Sequence, residues 1–182
     1  MKDLRFSDSE VQLLSELLKL NSVEIVWDIN AFYFNSEKVT YKLECFDDYP
    51  DGSNFEYDEI FYCRFLKLPE LQKFKEGDPA FWFKIISTDS IIQAINILEV
   101  CHKYPEGVLV DESDELDFKG LNNVSLGLII TTKEGVLPAF LLPANHGFTW
   151  LEKFGFYKDK EVEEILKHKI KKYKIRELNK PI

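Results

Sequence analysis

A chain of 182 residues, 45% hydrophobic and 30% charged, is long enough to bury a full core without disulfides or metal, and its 14% aromatic content argues against a disordered protein. The net charge of −9 argues against nucleic-acid binding, which depends on Lys and Arg neutralising phosphates. We predict one cytoplasmic domain over residues 1–182, because three cysteines form no complete disulfide set and no signal-peptide or membrane-spanning pattern is present.

The first predicted element is a helix from about residue 8 to residue 20. Ser7 and Glu10 have the spacing of a capping box, in which two residues cap each other's backbone N–H groups at a helix start. Apolar residues then recur at helical intervals up to Asn21, a residue that tolerates the left-handed conformation found after helices. The sequence therefore predicts an N-terminal helix.

Residues 23–65 change to an apolar period of two, which is typical of strands with one buried face. Clusters of turn-forming residues divide this stretch, so we predict an antiparallel meander. Pairing Cys45 with Phe55 across the longest turn puts nearly all apolar side chains on one face, with Glu59 as the exception. In that register Cys45 and Cys63 lie at opposite ends of the hairpin, too far apart to form a disulfide.

The middle of the chain is predicted to form a strand followed by a second helix. The segment FWFKIIS is typical of a strand, and residues 87–89 are suitable helix caps. Residues 91–101 are apolar over a surface too wide for one stripe, which indicates a mostly buried helix. Pro105 and Gly107 would end that helix.

The last third of the chain is predicted to contain strands and then helices. Residues 108–110 form a short strand, and two apolar runs around residues 133–135 form a hairpin. Pro138 indicates that the second strand of this hairpin lies at a sheet edge or carries a bulge. A short helix over 148–154 and a last helix over about 159–173 complete the prediction.

Together these elements predict an α+β fold. It consists of a mostly antiparallel sheet of five to seven strands, built from the N-terminal meander and the later hairpin, with helices at the N-terminus, in the middle and at the C-terminus. Residues 159–182 are predicted as a basic C-terminal helix or tail, since residues 167–182 contain seven Lys or Arg and one Glu. The alternating stretch KIKKYKIREL is also compatible with an edge strand.

Two acidic segments are the candidate binding surface. One lies at the tip of the predicted meander hairpin, where the alternatives are a solvated turn and a calcium loop, although Tyr49 occupies a position that such a loop gives to a ligand. The other is the run DESDELD. If both segments lie on one surface, their negative charge would attract a basic protein. This interpretation does not require the carboxylates to be arranged as metal ligands. The predicted partner-binding residues are Asp47, Asp48, Tyr49, Asp51, Asp58, Asp111, Glu112, Asp114 and Glu115.

A ligand cleft is the competing prediction. Glu59 would be a desolvated carboxylate on an aromatic face, the condition that makes a general acid, unless a shifted register turns it outward. His146 lies in a loop between a strand end and a helix start, where either a functional or a purely conformational role is possible. The chain has no nucleotide-binding or hydrolase motif, and we predict no metal and no cofactor.

Aromatic residues are crowded into the predicted strands. Residues 32–34 and 81–83 put aromatic rings on both faces of a strand, so either both faces are covered or one is open to a partner. Core packing is the simpler explanation, whereas an exposed Trp or Tyr among carboxylates would be an interface hot spot. The sequence therefore favours a non-enzymatic protein of the immunity or inhibitor type that engages a basic protein, without nucleic acid or membrane. The alternative is an enzyme or small-molecule-binding protein with a cleft lined by Glu59, His146 and aromatic residues.

Overall fold

The fold is taken from a computed structural model that describes residues 3–48, 60–75, 82–103, 108–109, 121–144, 147–151, 155–170 and 173–178. Within these ranges the chain forms two helices and twelve strands. The helices are α1 (Asp8–Leu17) and α2 (Asp159–Lys169). The strands are β1 (Asp3–Leu4), β2 (Val23–Asp28), β3 (Ala31–Asn35), β4 (Thr40–Asp48), β5 (Ile60–Lys67), β6 (Phe83–Ser90), β7 (Ile92–Lys103), β8 (Val108–Leu109), β9 (Leu121–Thr132), β10 (Val136–Ala144), β11 (Gly147–Trp150) and β12 (Lys174–Leu178).

The strands form two mostly antiparallel sheets that share one hydrophobic core. The five-stranded sheet has the order β5-β4-β3-β2-β6. The seven-stranded sheet has the order β11-β10-β9-β7-β12, with β1 added parallel to β9 and β8 added to β7. The ring of Phe32 meets the ring of Trp150 edge-on at 5.1 Å, which joins the two sheets through their buried faces.

The predicted α+β fold with a middle helix is wrong. Residues 92–101 of that predicted helix instead lie in the strand β7, which is placed between β9 and β12. Its apolar residues are buried on both faces of the sheet, and two register shifts interrupt its alternation. An apolar run that lacks period two cannot be distinguished from a buried helix by its pattern, which explains the error. The short helix predicted from residue 148 is also wrong at its start, because residues 147–150 form β11.

The predicted hairpin register is wrong as well. Cys45 pairs directly with Cys63 in the β4–β5 ladder, so the two cysteines are neighbours and do not lie at opposite ends of the hairpin. Phe55, the predicted partner of Cys45, lies outside the described residues. The error moved the turn several residues along the chain, since the alternating pattern of both strands fits more than one register.

Of the predicted elements, the N-terminal helix and the later hairpin are present in the structure. Ser7 caps α1, and its own N–H group donates to the Glu10 carboxylate at 2.8 Å. Thr132 and Gly135 close the β9–β10 turn. Pro138 has no N–H group to donate to a neighbouring strand. On the side of β10 away from β9, β11 pairs only with residues 141–144, so no hydrogen bond between strands is lost at Pro138. The C-terminal segment forms α2 and then the edge strand β12.

A crossing segment, residues 68–75, covers the outer face of the five-stranded sheet. β5 and β6 lie at opposite edges of this sheet, and the described residues after β5 pack on the strands between them. The Gln72 N–H donates to the Thr40 hydroxyl at 3.0 Å, and the ring of Phe74 packs on the ring of Tyr33 at 4.9 Å. Aromatic residues on both faces of β3 are thus explained by a core on one side and this segment on the other.

Candidate functional site

Most of the predicted site residues lie outside the described residues. Asp47 and Asp48 are in β4, opposite Phe61 and Ile60 at the open end of the β4–β5 ladder. That end leads directly into the predicted acidic hairpin tip. The predicted residues outside the described ranges are Tyr49, Asp51, Asp58, Glu59, Asp111, Glu112, Asp114, Glu115 and His146.

The turn between β2 and β3 exposes an isoleucine at this same end of the five-stranded sheet. One Asp28 carboxylate oxygen accepts hydrogen bonds from the N–H groups of Asn30 and Ala31, each at 2.8 Å. This side-chain-to-backbone closure is a common use of aspartate in tight turns. It leaves Ile29, between these residues, 69% exposed.

The registers on either side of the turn place Ile29 between two other exposed apolar residues. Asp28 pairs with Phe83, so one residue further Ile29 lies beside Trp82, which is 88% exposed. On the other side, the Cys45 N–H donates to the Asn30 carbonyl at 3.4 Å, so Ile29 is level with Phe46, which is 37% exposed. We call Phe46, Ile29 and Trp82 the apolar row.

An aromatic cluster supports the apolar row on the Trp82 side. The ring of Phe74 lies 4.9 Å from the ring of Tyr33 and 5.2 Å from the ring of Phe83, which follows Trp82 in the chain. Burial, together with the neighbouring Asp28 carboxylate that accepts its hydroxyl proton, raises the pKa of Tyr33 well above its ordinary value. Asp28 is therefore held both by the turn backbone and by Tyr33.

A second pair of rings supports the row on the Phe46 side. The rings of Phe46 and Tyr62 stack at 6.0 Å across β4 and β5. The Arg64 guanidinium lies 4.8 Å from the centre of the Tyr62 ring, a cation–π distance. Phe46 is therefore packed against its neighbour on β5 although part of its ring is exposed.

The chemistry available in the described part of the chain is limited. No three His, Cys, Asp or Glu side chains among these residues are grouped to hold a metal ion. An open groove of about 370 Å³ lies between α2 and β10, where Leu142, Leu151 and Ile165 are bordered by Glu164 and His168. None of the helices described is long and apolar enough to cross a membrane.

Sequence reasoning missed two of the three residues of the apolar row. Trp82 belonged to a recognised aromatic run, but Ile29 and Phe46 did not attract attention. An isoleucine between Asp28 and Asn30 was a usable signal, since a large apolar residue between two turn formers has little access to a core. Comparison of the chain with protein-family models, with curated proteins and with solved structures finds no match.

Proposed function

We propose that this chain is a non-enzymatic binding protein of the immunity or inhibitor type, and that the apolar row and the adjoining acidic hairpin dock onto a basic protein. The observation that carries this proposal is the exposure of Trp82, at 88%, next to Ile29 at 69%. Single exposed apolar residues are common on soluble proteins, whereas several large ones at one end of a sheet favour an interface there.

The rigidity of the row favours a docking role. Association costs less free energy when the contact residues are already ordered. Ile29 sits on a turn closed by two Asp28 hydrogen bonds, and Phe46 is stacked on Tyr62. Tryptophan is among the residues most enriched in interface hot spots, where burial of one large ring supplies several kcal/mol. Trp82 is the natural centre of such an interface.

The charge distribution favours a basic partner. The chain carries a net charge of −9, and Asp47 and Asp48 directly follow Phe46 in β4. Carboxylates at the rim of an apolar contact accelerate the encounter with a positively charged surface, an effect that salt screens.

The proposal is tested by comparing variants of the chain as bait. Wild-type protein, Trp82→Ala, Leu71→Ala and the double variant Asp47→Asn, Asp48→Asn are immobilised, and a lysate is passed over each at low salt. Leu71 is the matched control, because it is an exposed apolar residue, 43% exposed, on the crossing segment. A retained protein is then purified and its affinity measured at two salt concentrations.

The proposal predicts a basic retained protein whose affinity falls by at least about tenfold with Trp82→Ala, the effect of losing about 1.4 kcal/mol at a hot spot. Leu71→Ala should leave the affinity unchanged. The double Asn variant should bind less tightly and with a weaker salt dependence. A partner that binds the Trp82→Ala variant as tightly as the wild type contradicts the proposal.

A further inference from the structure

Cys45 and Cys63 face each other across the β4–β5 ladder. They are directly opposite in the register, so their side chains lie on the same face of the five-stranded sheet. Cys45 is half-buried and Cys63 is fully buried, and neither cysteine is in a disulfide. The pairing brings together two oxidisable side chains that are far apart in the sequence.

The backbone hydrogen bonds decide which kind of cross-strand pair this is. Opposite residues in an antiparallel ladder alternate between hydrogen-bonded and non-hydrogen-bonded pairs. Leu68 donates its N–H to the Thr40 carbonyl at 2.9 Å, so the Thr40–Leu68 pair is hydrogen-bonded. The two kinds of pair alternate along the ladder. Cys45–Cys63 lies an odd number of pairs from Thr40–Leu68, so it is a non-hydrogen-bonded pair. The Cys45 N–H agrees, because it points to β3, where it donates to the Asn30 carbonyl.

Non-hydrogen-bonded pairs have the spacing that a disulfide needs. Their Cα atoms lie about 4.5 Å apart, and a disulfide joins Cα atoms about 4.4–6.8 Å apart. The proximity of Cys45 is also one cause, after burial, of the raised pKa of the Cys63 thiol. Rotation of the two side chains is therefore enough to bring the sulfur atoms together, without a shift of either strand.

In the reduced state both thiols lie near backbone carbonyl groups. The Cys63 thiol donates to the Leu126 carbonyl of β9 at 3.1 Å, and the Cys45 thiol lies 3.8 Å from the Phe46 carbonyl. Leu126 is the residue that a bulge leaves without a partner on β7, since Leu98 pairs with Gly127 and Glu99 with Ser125. Oxidation would break the contact between Cys63 and Leu126, which joins the two sheets, and would form a disulfide within the five-stranded sheet.

We propose that Cys45 and Cys63 are a redox-active pair that closes to a cross-strand disulfide with a low-molecular-weight disulfide such as oxidised glutathione. Cys45, the accessible member, loses its proton and attacks one glutathione sulfur, which forms a mixed disulfide and releases one glutathione thiolate. Cys63 then loses its proton and attacks the Cys45 sulfur, which releases the second glutathione thiolate. Two protein thiols are oxidised, and one glutathione disulfide is reduced to two thiols.

The test uses the full chain with oxidised glutathione, followed by mass measurement and peptide mapping without reductant. The wild-type chain should lose two of its three thiols and give a peptide in which Cys45 is linked to Cys63. Cys101→Ser should behave in the same way, because the third cysteine takes no part. Cys63→Ser should stop at the mixed disulfide on Cys45, and Cys45→Ser should resist oxidation at Cys63.

The mapping of the wild-type chain also decides the question if the Cys63 variant fails to fold. A mixed disulfide that persists on wild-type Cys45, or a linkage from either cysteine to Cys101, would overturn the proposal. So would a Cys45→Ser chain whose Cys63 is glutathionylated as fast as Cys45 of the wild type.

Discussion

The Glu10 carboxylate ties α1 to the edge of the five-stranded sheet. One carboxylate oxygen accepts the Phe65 N–H at 3.0 Å, and the other accepts the Ser7 N–H at 2.8 Å and lies 3.3 Å from Arg64. Since β5 is an edge strand, the outward Phe65 N–H meets no further strand in its sheet. One carboxylate thus caps a helix and satisfies a buried donor at a sheet edge, where an unpaired donor is costly.

We expect Glu10→Ala to lower the free energy of unfolding by about 2–4 kcal/mol, because it leaves the buried Phe65 N–H unsatisfied and removes a helix cap. Urea denaturation at neutral pH measures this change. Glu163→Ala is the control, since the exposed Glu163 forms only a solvent-facing pair with Lys167 at 3.8 Å, and its loss should cost less than about 0.5 kcal/mol. If both variants lower the free energy of unfolding by the same amount, the Glu10 contacts do not stabilise the fold more than an exposed ion pair does.

The Tyr41 hydroxyl makes the fold sensitive to alkaline pH. Burial and the Glu16 carboxylate, which accepts the hydroxyl proton at 3.0 Å, raise the pKa of Tyr41 well above its ordinary value. Above about pH 10 an unfolded chain loses tyrosine protons that the folded chain keeps, so this stabilisation is complete below pH 10 and falls as the pH rises. Urea midpoints from pH 8 to 11 should fall less steeply for Tyr41→Phe than for wild type. An unchanged slope would contradict this assignment.

At the level of elements, β9 and β10 approach each other so closely at Gly127 that no side chain fits. A Cβ atom there would lie 2.3 Å from the Ala139 carbonyl oxygen and 2.5 Å from the Phe140 Cα, and the φ angle is +142°. Gly155 has a similar φ angle of +152°, but no atom of the described residues lies within 4 Å of such a Cβ. The two glycines therefore share the conformational requirement and differ only in the space around them.

Gly155→Ala should lower the free energy of unfolding by about 1–3 kcal/mol through backbone strain alone. Gly127→Ala should cost the same strain and, in addition, about 1–3 kcal/mol for the clash with β10. Thermal or urea unfolding of the two variants side by side measures the difference. If Gly155→Ala is as destabilising as Gly127→Ala, the close approach of β9 and β10 is not the cause.

The elements differed in how well the sequence predicted them, for identifiable reasons. The start of α1 depends on two residues three positions apart, Ser7 and Glu10, and so it can be recognised locally. The β9–β10 hairpin was equally local. By contrast, β7 is buried on both faces and its alternation is broken by bulges, so its sequence resembles that of a buried helix. The β4–β5 register is not fixed by the alternating pattern, because that pattern fits more than one pairing.

The apolar row is formed by three separate segments of the chain that reach the same end of the five-stranded sheet. Phe46 comes from β4, Ile29 from the β2–β3 turn and Trp82 from the residue before β6. Trp82 lies at this level because β6, which it precedes, is the strand next to β2 in the sheet. Acidic composition was visible in the sequence, whereas this juxtaposition depends on strand order and register, which the sequence alone does not specify.

A photo-reactive amino acid in place of Trp82 tests the docking surface most directly, with the same substitution at Leu71 as the comparison. Both sites are exposed, but only position 82 belongs to the apolar row. After irradiation in cell extract at low salt, we expect a specific cross-link from position 82 to a basic protein. High salt, or the double substitution Asp47→Asn and Asp48→Asn, should reduce the yield of this cross-link. Equal cross-linking from position 71, or no specific cross-link from position 82, would contradict this expectation.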